Sequence, residues 1–89
     1  MRYYFDSRDG DSLAWDQEGV ECADLERARR EAARGLAEFA RDILPLLAAR
    51  KLSISVRDED GHEVLTASLA FDVRVMMNAG LPANGRALL

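Results

Sequence analysis

The clearest pattern along the chain is a helical stripe in its middle third. Apolar residues recur there at three- and four-residue steps, which places them on one face of a helix that packs against a core. The stripe consists of Leu25, Ala28, Ala32, Leu36, Phe39, Ala40, Ile43 and Leu47. Asp24 is a suitable N-cap. Pro45 lacks an N–H group, so the regular helix should end or kink near Leu44, with a last turn through Leu46 to Arg50 left open.

After the helix, strict alternation predicts a β-hairpin. Leu52, Ile54 and Val56 alternate with polar residues, and the turn-prone Asp58–Gly61 follows. The return strand is predicted from about Glu63 to Val75. Its core-facing row is Leu65, Ala67, Leu69, Phe71, Val73 and Val75.

Before the helix, the aromatic run at residues 2–7 predicts a first strand, which ends at an Asp-Gly turn. Residues 13–22 are ambiguous, and we predict one short irregular strand there. This segment contains Trp15, the sole tryptophan, which either covers the core or anchors a partner. We favour the core.

These elements assemble into an α+β fold of the order ββαββ, in which one long helix packs on a small, mostly antiparallel sheet. We expect a single domain over residues 1–76 and a flexible C-terminal tail over residues 77–89, where Gly, Pro and Asn are frequent. One sheet face then has no cover, and the outer strands keep unpaired backbone groups. Self-association through the sheet is therefore expected.

Composition narrows the class of protein. With 89 residues, 48% hydrophobic and 31% charged, the chain fits one small globular domain. It contains no run of about 20 apolar residues and no secretory signal pattern, so we expect no membrane association. Cys22 is the only cysteine, which excludes an internal disulfide and fits a reducing compartment. We therefore expect a cytoplasmic protein.

The net charge of −4 is unevenly distributed. Residues 1–24 hold two basic and seven acidic side chains (net −5), residues 25–51 hold seven and four (net +3), and residues 52–89 hold three and five (net −2). Phosphate backbones repel an acidic chain unless a basic face is set apart. Only the helix offers such a face.

That basic face is the first candidate binding surface. Arg27, Arg30, Arg34 and Arg41 share one side of the helix and suit phosphates or an acidic partner. Glu26 lies four positions from Arg30, and Glu38 lies four positions from Arg34. We therefore expect ion pairs along the helix to neutralise much of this positive charge. We favour a solvated, salt-bridged face.

Three further groups offer chemistry in principle. The acidic loop could supply oxygen ligands to Mg²⁺ or Ca²⁺, through Asp6, Asp9, Asp11, Asp16 and Glu18. Asp58–Glu63 combines carboxylates with His62, the only histidine. Cys22 lies just before the helix, whose dipole could activate the thiol. We favour a solvated turn, an ordinary hairpin tip and a buried apolar residue in these three cases, and we predict no catalytic residue, metal or cofactor.

Two runs carry a family resemblance: Arg2-Tyr3-Tyr4-Phe5-Asp6-Ser7-Arg8-Asp9-Gly10-Asp11 at the start, and Val56-Arg57-Asp58-Glu59-Asp60-Gly61 with Val64-Leu65-Thr66 in the second hairpin. Together with the Asp16-x-Glu18-Gly19-x-Glu21 pattern, they resemble a family of short bacterial domains of unknown function. Residues 2–44 show a fainter resemblance to HicB-type antitoxins. The first resemblance implies no activity, and the second implies a regulator.

The sequence thus favours a non-catalytic interaction or regulatory module that self-associates or binds another protein. The alternative is a nucleic-acid-binding or antitoxin-like regulator that uses the arginine face. Trp15 is added to Arg27, Arg30, Arg34 and Arg41 as a possible partner-binding residue.

Overall fold

A computed structural model describes residues 1–46 and 49–76. The element order is strand β1, two short strands β2 and β3, helix α1 with a 3₁₀ turn, and then strands β4 and β5. Their bounds are β1 Arg2–Asp9, β2 Ser12–Ala14, β3 Val20–Glu21, α1 Leu25–Ile43, the 3₁₀ turn Leu44–Leu46, β4 Ala49–Arg57 and β5 Glu63–Asp72. The predicted α+β fold, one long helix on a mostly antiparallel sheet, is confirmed.

Helix α1 begins and ends where its local sequence requires. The Asp24 carboxylate accepts a hydrogen bond from the Arg27 N–H at 2.9 Å, which satisfies a donor that has no partner within the helix. At the other end the helix stops at Ile43, and Pro45 lies in the following 3₁₀ turn. Both predicted helix ends are therefore confirmed. The part of the left-open last turn that lies at Arg50 is wrong, because that residue belongs to β4.

The sheet is antiparallel in the order β2-β1-β4-β5. β3 also pairs with β1, on the Arg2–Tyr3 stretch. β1 therefore lies between β4 on one side and the two short strands on the other. Residues 13–22 thus hold parts of two short strands, where the sequence analysis predicted one. The intervening residues form a loop that becomes the centre of a candidate site.

The core lies between α1 and the side of the sheet that includes Leu52, Ile54 and Val56. Directly opposite residues in an antiparallel pair point to the same face, so the β1–β4 and β4–β5 registers extend this side to Phe5 and to Leu65. The helix contributes Ala28, Ala32, Leu36 and Ala40, all buried. Small alanines allow the helix backbone to approach the sheet closely, and α1 lies over β4 and β5.

Parts of the predicted core are wrong. Leu25, the first residue of α1, is 45% exposed. β5 ends at Asp72, so Val73 and Val75 lie outside the strand and are exposed. The alternation predicted burial at these two positions, but it continues past the end of the strand. Leu47 and the predicted tail over residues 77–89 lie outside the described residues.

No helix within residues 1–46 and 49–76 is long and apolar enough to cross a membrane.

Candidate interaction surfaces

The sheet face away from the helix carries a buried ion pair that local sequence patterns did not predict. Asp6 in β1 is only 6% exposed, although it is charged. The Nε of Arg57, at the end of β4, donates to its Oδ2 at 2.7 Å, and an Nη group donates to Oδ1 at 3.2 Å. The Asp16 backbone N–H adds a bond to Oδ1 at 2.9 Å. This bidentate ion pair and the further N–H donor offset the free-energy cost of burying the charged carboxylate.

Asp16 links the same network to the loop between β2 and β3. Its carboxylate accepts the backbone N–H of Phe5 at 3.0 Å, in the stretch of β1 that neither short strand pairs with. It also accepts the N–H groups of Glu18 and Gly19, while the Asp16 carbonyl accepts from Arg57 at 2.9 Å. A side chain thus replaces a strand partner along β1.

These contacts shift the ionisation of both partners. Partial burial alone would raise the pKa of Asp16, but the backbone N–H donors and the charge of Arg57 together hold that pKa below its usual value. The hydrogen bonds from Arg57 to Asp6 raise the pKa of the guanidinium further above its usual value. The hydrogen bonds of this network tie β1, β4 and the loop together.

Aromatic rings enclose the guanidinium of Arg57. Its central carbon lies 4.8 Å from the centroid of the Tyr4 ring and 5.2 Å from that of Trp15, both within cation–π range. Trp15 remains 61% exposed and lies on the open face, so the favoured prediction that it covers the core is wrong. Beside it is a shallow cavity of about 190 Å³. Asp6, Arg8, Leu13, Trp15, Ser55, Arg57, Gly61 and Glu63 line this cavity.

The acidic loop is not a solvated turn throughout, as the sequence analysis had favoured. Asp6 and Asp16 belong to the network with Arg57, and an oxygen of Asp9 lies 3.2 Å from Nε of Arg50. Three of the five candidate metal ligands are thus engaged by arginine or backbone donors. Only Asp11 and Glu18 are exposed acids of the kind expected there.

The second acidic cluster forms the tip of the β4–β5 hairpin, as predicted. The Asp58 carboxylate accepts the N–H groups of Asp60 and His62, each at 2.9 Å. These bonds lower the pKa of Asp58, and Gly61 takes the positive φ of 87° that the turn needs. Asp58, Asp60 and His62 could in principle hold a metal, with ligand atoms within 4.8 Å of one another. The observed hydrogen bonds, however, are those of a turn.

Cys22 is 3% exposed and belongs to the core cluster. Burial raises the pKa of its thiol, with a contribution from the negative charge of Glu31. The favoured interpretation, a buried apolar residue, is confirmed. The alternative of a thiol activated by the helix dipole is contradicted, since the thiolate is disfavoured here.

The arginine face of α1 is exposed, and several of its charges are paired. Arg27 lies 3.5 Å from Glu31, and Arg30 lies 3.5 Å from Glu26, as predicted for the second pair. Arg34 does not pair with Glu38, as its spacing had suggested, but lies 3.9 Å from Glu31. Two carboxylates thus lie within ion-pair distance of three of the four arginines, and Glu26 makes its two hydrogen bonds with a further arginine, Arg29. Arg41, in the last turn, forms no ion pair with the described residues.

The outer edge of β5 is a further candidate surface. Within the described part of the chain, β5 pairs with β4 alone, so the N–H and C=O groups along its other edge have no strand partner. The strand is ten residues long, about 34 Å at the usual rise per residue. No charged side chain occurs from Val64 to Phe71. From Leu65 to Phe71 this edge is uncharged and its residues pair in regular register with β4, while a register shift at Val64 interrupts the start of the strand. Such a regular, uncharged stretch is what a pairing strand requires.

A family model described as "Domain of unknown function (DUF6894)" matches residues 2–70. The chain belongs to this family. No curated protein and no solved structure gives a significant match. The DUF6894 match runs from the first residue of β1 into β5, so it includes the Asp6–Arg57–Asp16 network and most of the β5 edge. Membership in a family of short domains of unknown function is thereby confirmed, while the likeness to HicB-type antitoxins stays a prediction.

Arg57 lies at the centre of the open face of this DUF6894 domain, which local sequence patterns did not predict. A signal was available, because Asp6, Asp16 and Arg57 all lie within the runs that carry the family resemblance. Those runs were assigned only to strands and turns. The pairing joins residues 51 positions apart, which no local pattern indicates.

Proposed function

We propose that this chain is a non-catalytic interaction module that self-associates through its sheet, with the free edge of β5 as the pairing surface. The observation that carries the proposal is the absence of charge from Val64 to Phe71 on a ten-residue strand that pairs, among the described residues, on one side only. Natural proteins usually protect such edges with lysine, proline, bulges or short strands.

The other edge of the sheet shows such protection. β2 and β3 are three and two residues long, and the Asp16 side chain takes the N–H of Phe5 between them. The edge formed by β2 and β3 is interrupted by the Asp16 loop, whereas the outer edge of β5 has no strand partner among the described residues. This difference supports association at β5. A β-strand is the natural occupant, because added strands bind through main-chain hydrogen bonds.

The roles of the acidic residues support a non-catalytic module. Asp6 and Asp16 accept several hydrogen bonds each within the β1–β4 network, and Asp58 supports the hairpin turn. The thiol of Cys22 is buried with a raised pKa. Each of these acidic and thiol side chains thus stabilises the fold. The buried free thiol also suits a reducing compartment, and we extend the proposal to a bacterial cytoplasm.

Analytical ultracentrifugation of the wild type and of Thr66→Lys/Ser68→Lys tests the proposal. Both positions are exposed and lie on the open face of β5, so the lysines leave the core intact. We expect a wild-type dimer whose dissociation constant rises about tenfold or more in the variant. The matched control is Ser12→Lys/Ala14→Lys on β2, whose residues are also exposed, and it should keep the wild-type dissociation constant. A monomeric wild type at high concentration would refute the proposal.

The alternative function, nucleic-acid binding or antitoxin-like regulation, uses the exposed Arg27, Arg30, Arg34 and Arg41. Its support is weaker, because Glu26 and Glu31 already pair with three of these arginines. No aromatic side chain for base stacking follows this face. An electrophoretic shift with DNA or RNA at low salt, abolished in Arg30→Ala/Arg34→Ala, would favour this alternative.

A further inference from the structure

We infer that two copies pair through antiparallel β5 strands in a two-fold register centred on Ala67, which rests on the proposed self-association. In an antiparallel strand pair with two-fold symmetry, the residue numbers of any two opposite residues add up to twice the number of the central residue. Opposite residues also point to the same face of the sheet. A centre at Ala67 places it opposite its own copy. Because the register of β5 shifts at Val64, the regular pairing runs from Leu65 to Leu69.

On the open face, this register matches hydroxyl with hydroxyl. Thr66 lies opposite Ser68 of the partner subunit, and the symmetry produces that pair twice. The Thr66 hydroxyl already donates to the Glu63 carboxylate at 2.6 Å, so in this pair it accepts a hydrogen bond from the serine. Cross-strand Thr–Ser pairs stabilise sheets through side-chain hydrogen bonds. The same pattern already occurs inside the chain, where the hydroxyls of Ser55 and Thr66 lie 3.4 Å apart across β4 and β5.

On the helix side, the register joins two incomplete apolar rows. Leu65 and Leu69 pack against the core but remain half-buried, because the sheet ends beside them. A centre at Ala67 sets Leu65 opposite Leu69 of the partner subunit, again twice. Both helices then lie on the same side of one continuous sheet, and the core extends across the boundary.

The neighbouring register, centred on Ser68, has poorer matches. It sets Thr66 opposite Ala70 of the partner subunit, so the hydroxyl pairs are lost. Complementarity therefore favours Ala67.

Charge substitutions at the two hydroxyl positions test the register. In the Ala67 register, Thr66→Lys/Ser68→Glu sets Lys opposite Glu at both pairs, and two such pairs should tighten the dimer about 2- to 30-fold. In the Ser68 register, the same variant sets Glu opposite Glu at the two-fold axis and weakens the dimer. Thr66→Lys/Ser68→Lys sets Lys opposite Lys in the Ala67 register. Ultracentrifugation in low and high salt measures all three proteins, and circular dichroism confirms that they fold.

The expected result is a Thr66→Lys/Ser68→Glu dimer at least as tight as the wild type, which loses its advantage in high salt. A wild-type dimer that the Lys/Glu variant weakens would overturn the Ala67 register but leave self-association intact. A wild-type dimer that neither variant changes would overturn the β5 interface itself. A monomeric wild type would remove the proposed function and the register together.

Discussion

Removal of the Arg57 side chain should destabilise the domain more than any other loss of a single surface charge. Arg57→Met keeps the aliphatic stem but removes three hydrogen bonds, two to the Asp6 carboxylate and one to the Asp16 carbonyl. Asp6 then keeps only the Asp16 N–H as a donor, while it stays 6% exposed. Its negative charge would be buried almost without compensation.

The magnitude follows from that burial. Removing one partner of a buried ion pair typically costs ~3–5 kcal/mol. The Arg57 side chain is itself 25% exposed, so the lower end, ~3 kcal/mol, is appropriate. Native domains have only ~5–15 kcal/mol of stability in total, so the loss is a large fraction. With a urea m-value of ~1–1.5 kcal/mol per molar, the unfolding midpoint should fall by ~2–3 M.

Urea denaturation followed by far-ultraviolet circular dichroism is the suitable assay, since Trp15 fluorescence responds directly to Arg57. Arg34→Met is the matched control: its side chain is 62% exposed and its ion pair is long, so it should cost less than ~0.5 kcal/mol. Adding Asp6→Asn to Arg57→Met should cost less than the two single changes together, because the two side chains interact. Equal losses for Arg57→Met and Arg34→Met, or strict additivity, would refute the reasoning.

Three further predictions concern single positions. Gly19→Ala should lower the free energy of unfolding by ~2–3 kcal/mol in urea denaturation, because a Cβ at φ +74° would lie 3.0 Å from the Tyr3 carbonyl oxygen. Gly61→Ala, which has open space around it, should cost only ~1 kcal/mol, and equal costs would contradict this prediction. The pKa of Asp16 in the folded protein lies below its unfolded value of ~3.9. Its contribution to the free energy of unfolding is therefore complete above pH ~3.9 and is lost as the pH falls through the folded pKa. Asp16→Asn should flatten the acid side of a plot of stability against pH, and an unchanged acid side would contradict this prediction. The Cys22 thiol should react with a thiol reagent at neutral pH only after urea unfolding, and rapid reaction of the folded protein would show that the core is open.

Local features of the sequence predicted the helix and the second hairpin well. Asp24 and Pro45 mark the two ends of α1 through a hydrogen-bond acceptor and a missing N–H, both of which act within a few residues. The alternation of Leu52, Ile54 and Val56 identifies the buried side of β4 for a similar reason. These patterns depend on neighbours along the chain, so the sequence displays them directly.

The open face was less accessible from sequence. Asp6 is one of 16 acidic residues and Arg57 one of 12 basic residues, and only the register of β1 against β4 brings them together. Trp15 was misplaced for the same reason, since its ring stacks on a guanidinium from a distant strand. Val73 continues the alternation of β5, but the strand ends at Asp72. The extent of a sheet is a tertiary property, and periodicity alone does not contain it.

The position of β1 has a consequence for the order of folding. It is made first, yet its principal partner β4 follows only after the whole of α1, and pairs such as Asp6 with Arg57 join residues 51 positions apart. Closing so large a loop is slow, whereas α1, β4 and β5 are consecutive in sequence. We expect φ-values near zero for conservative substitutions in β1 and higher values at the β4–β5 hairpin, measured from folding and unfolding rates. During synthesis, the Tyr3 and Phe5 side chains would therefore stay exposed to solvent until α1, β4 and β5 have left the ribosome and can form the core.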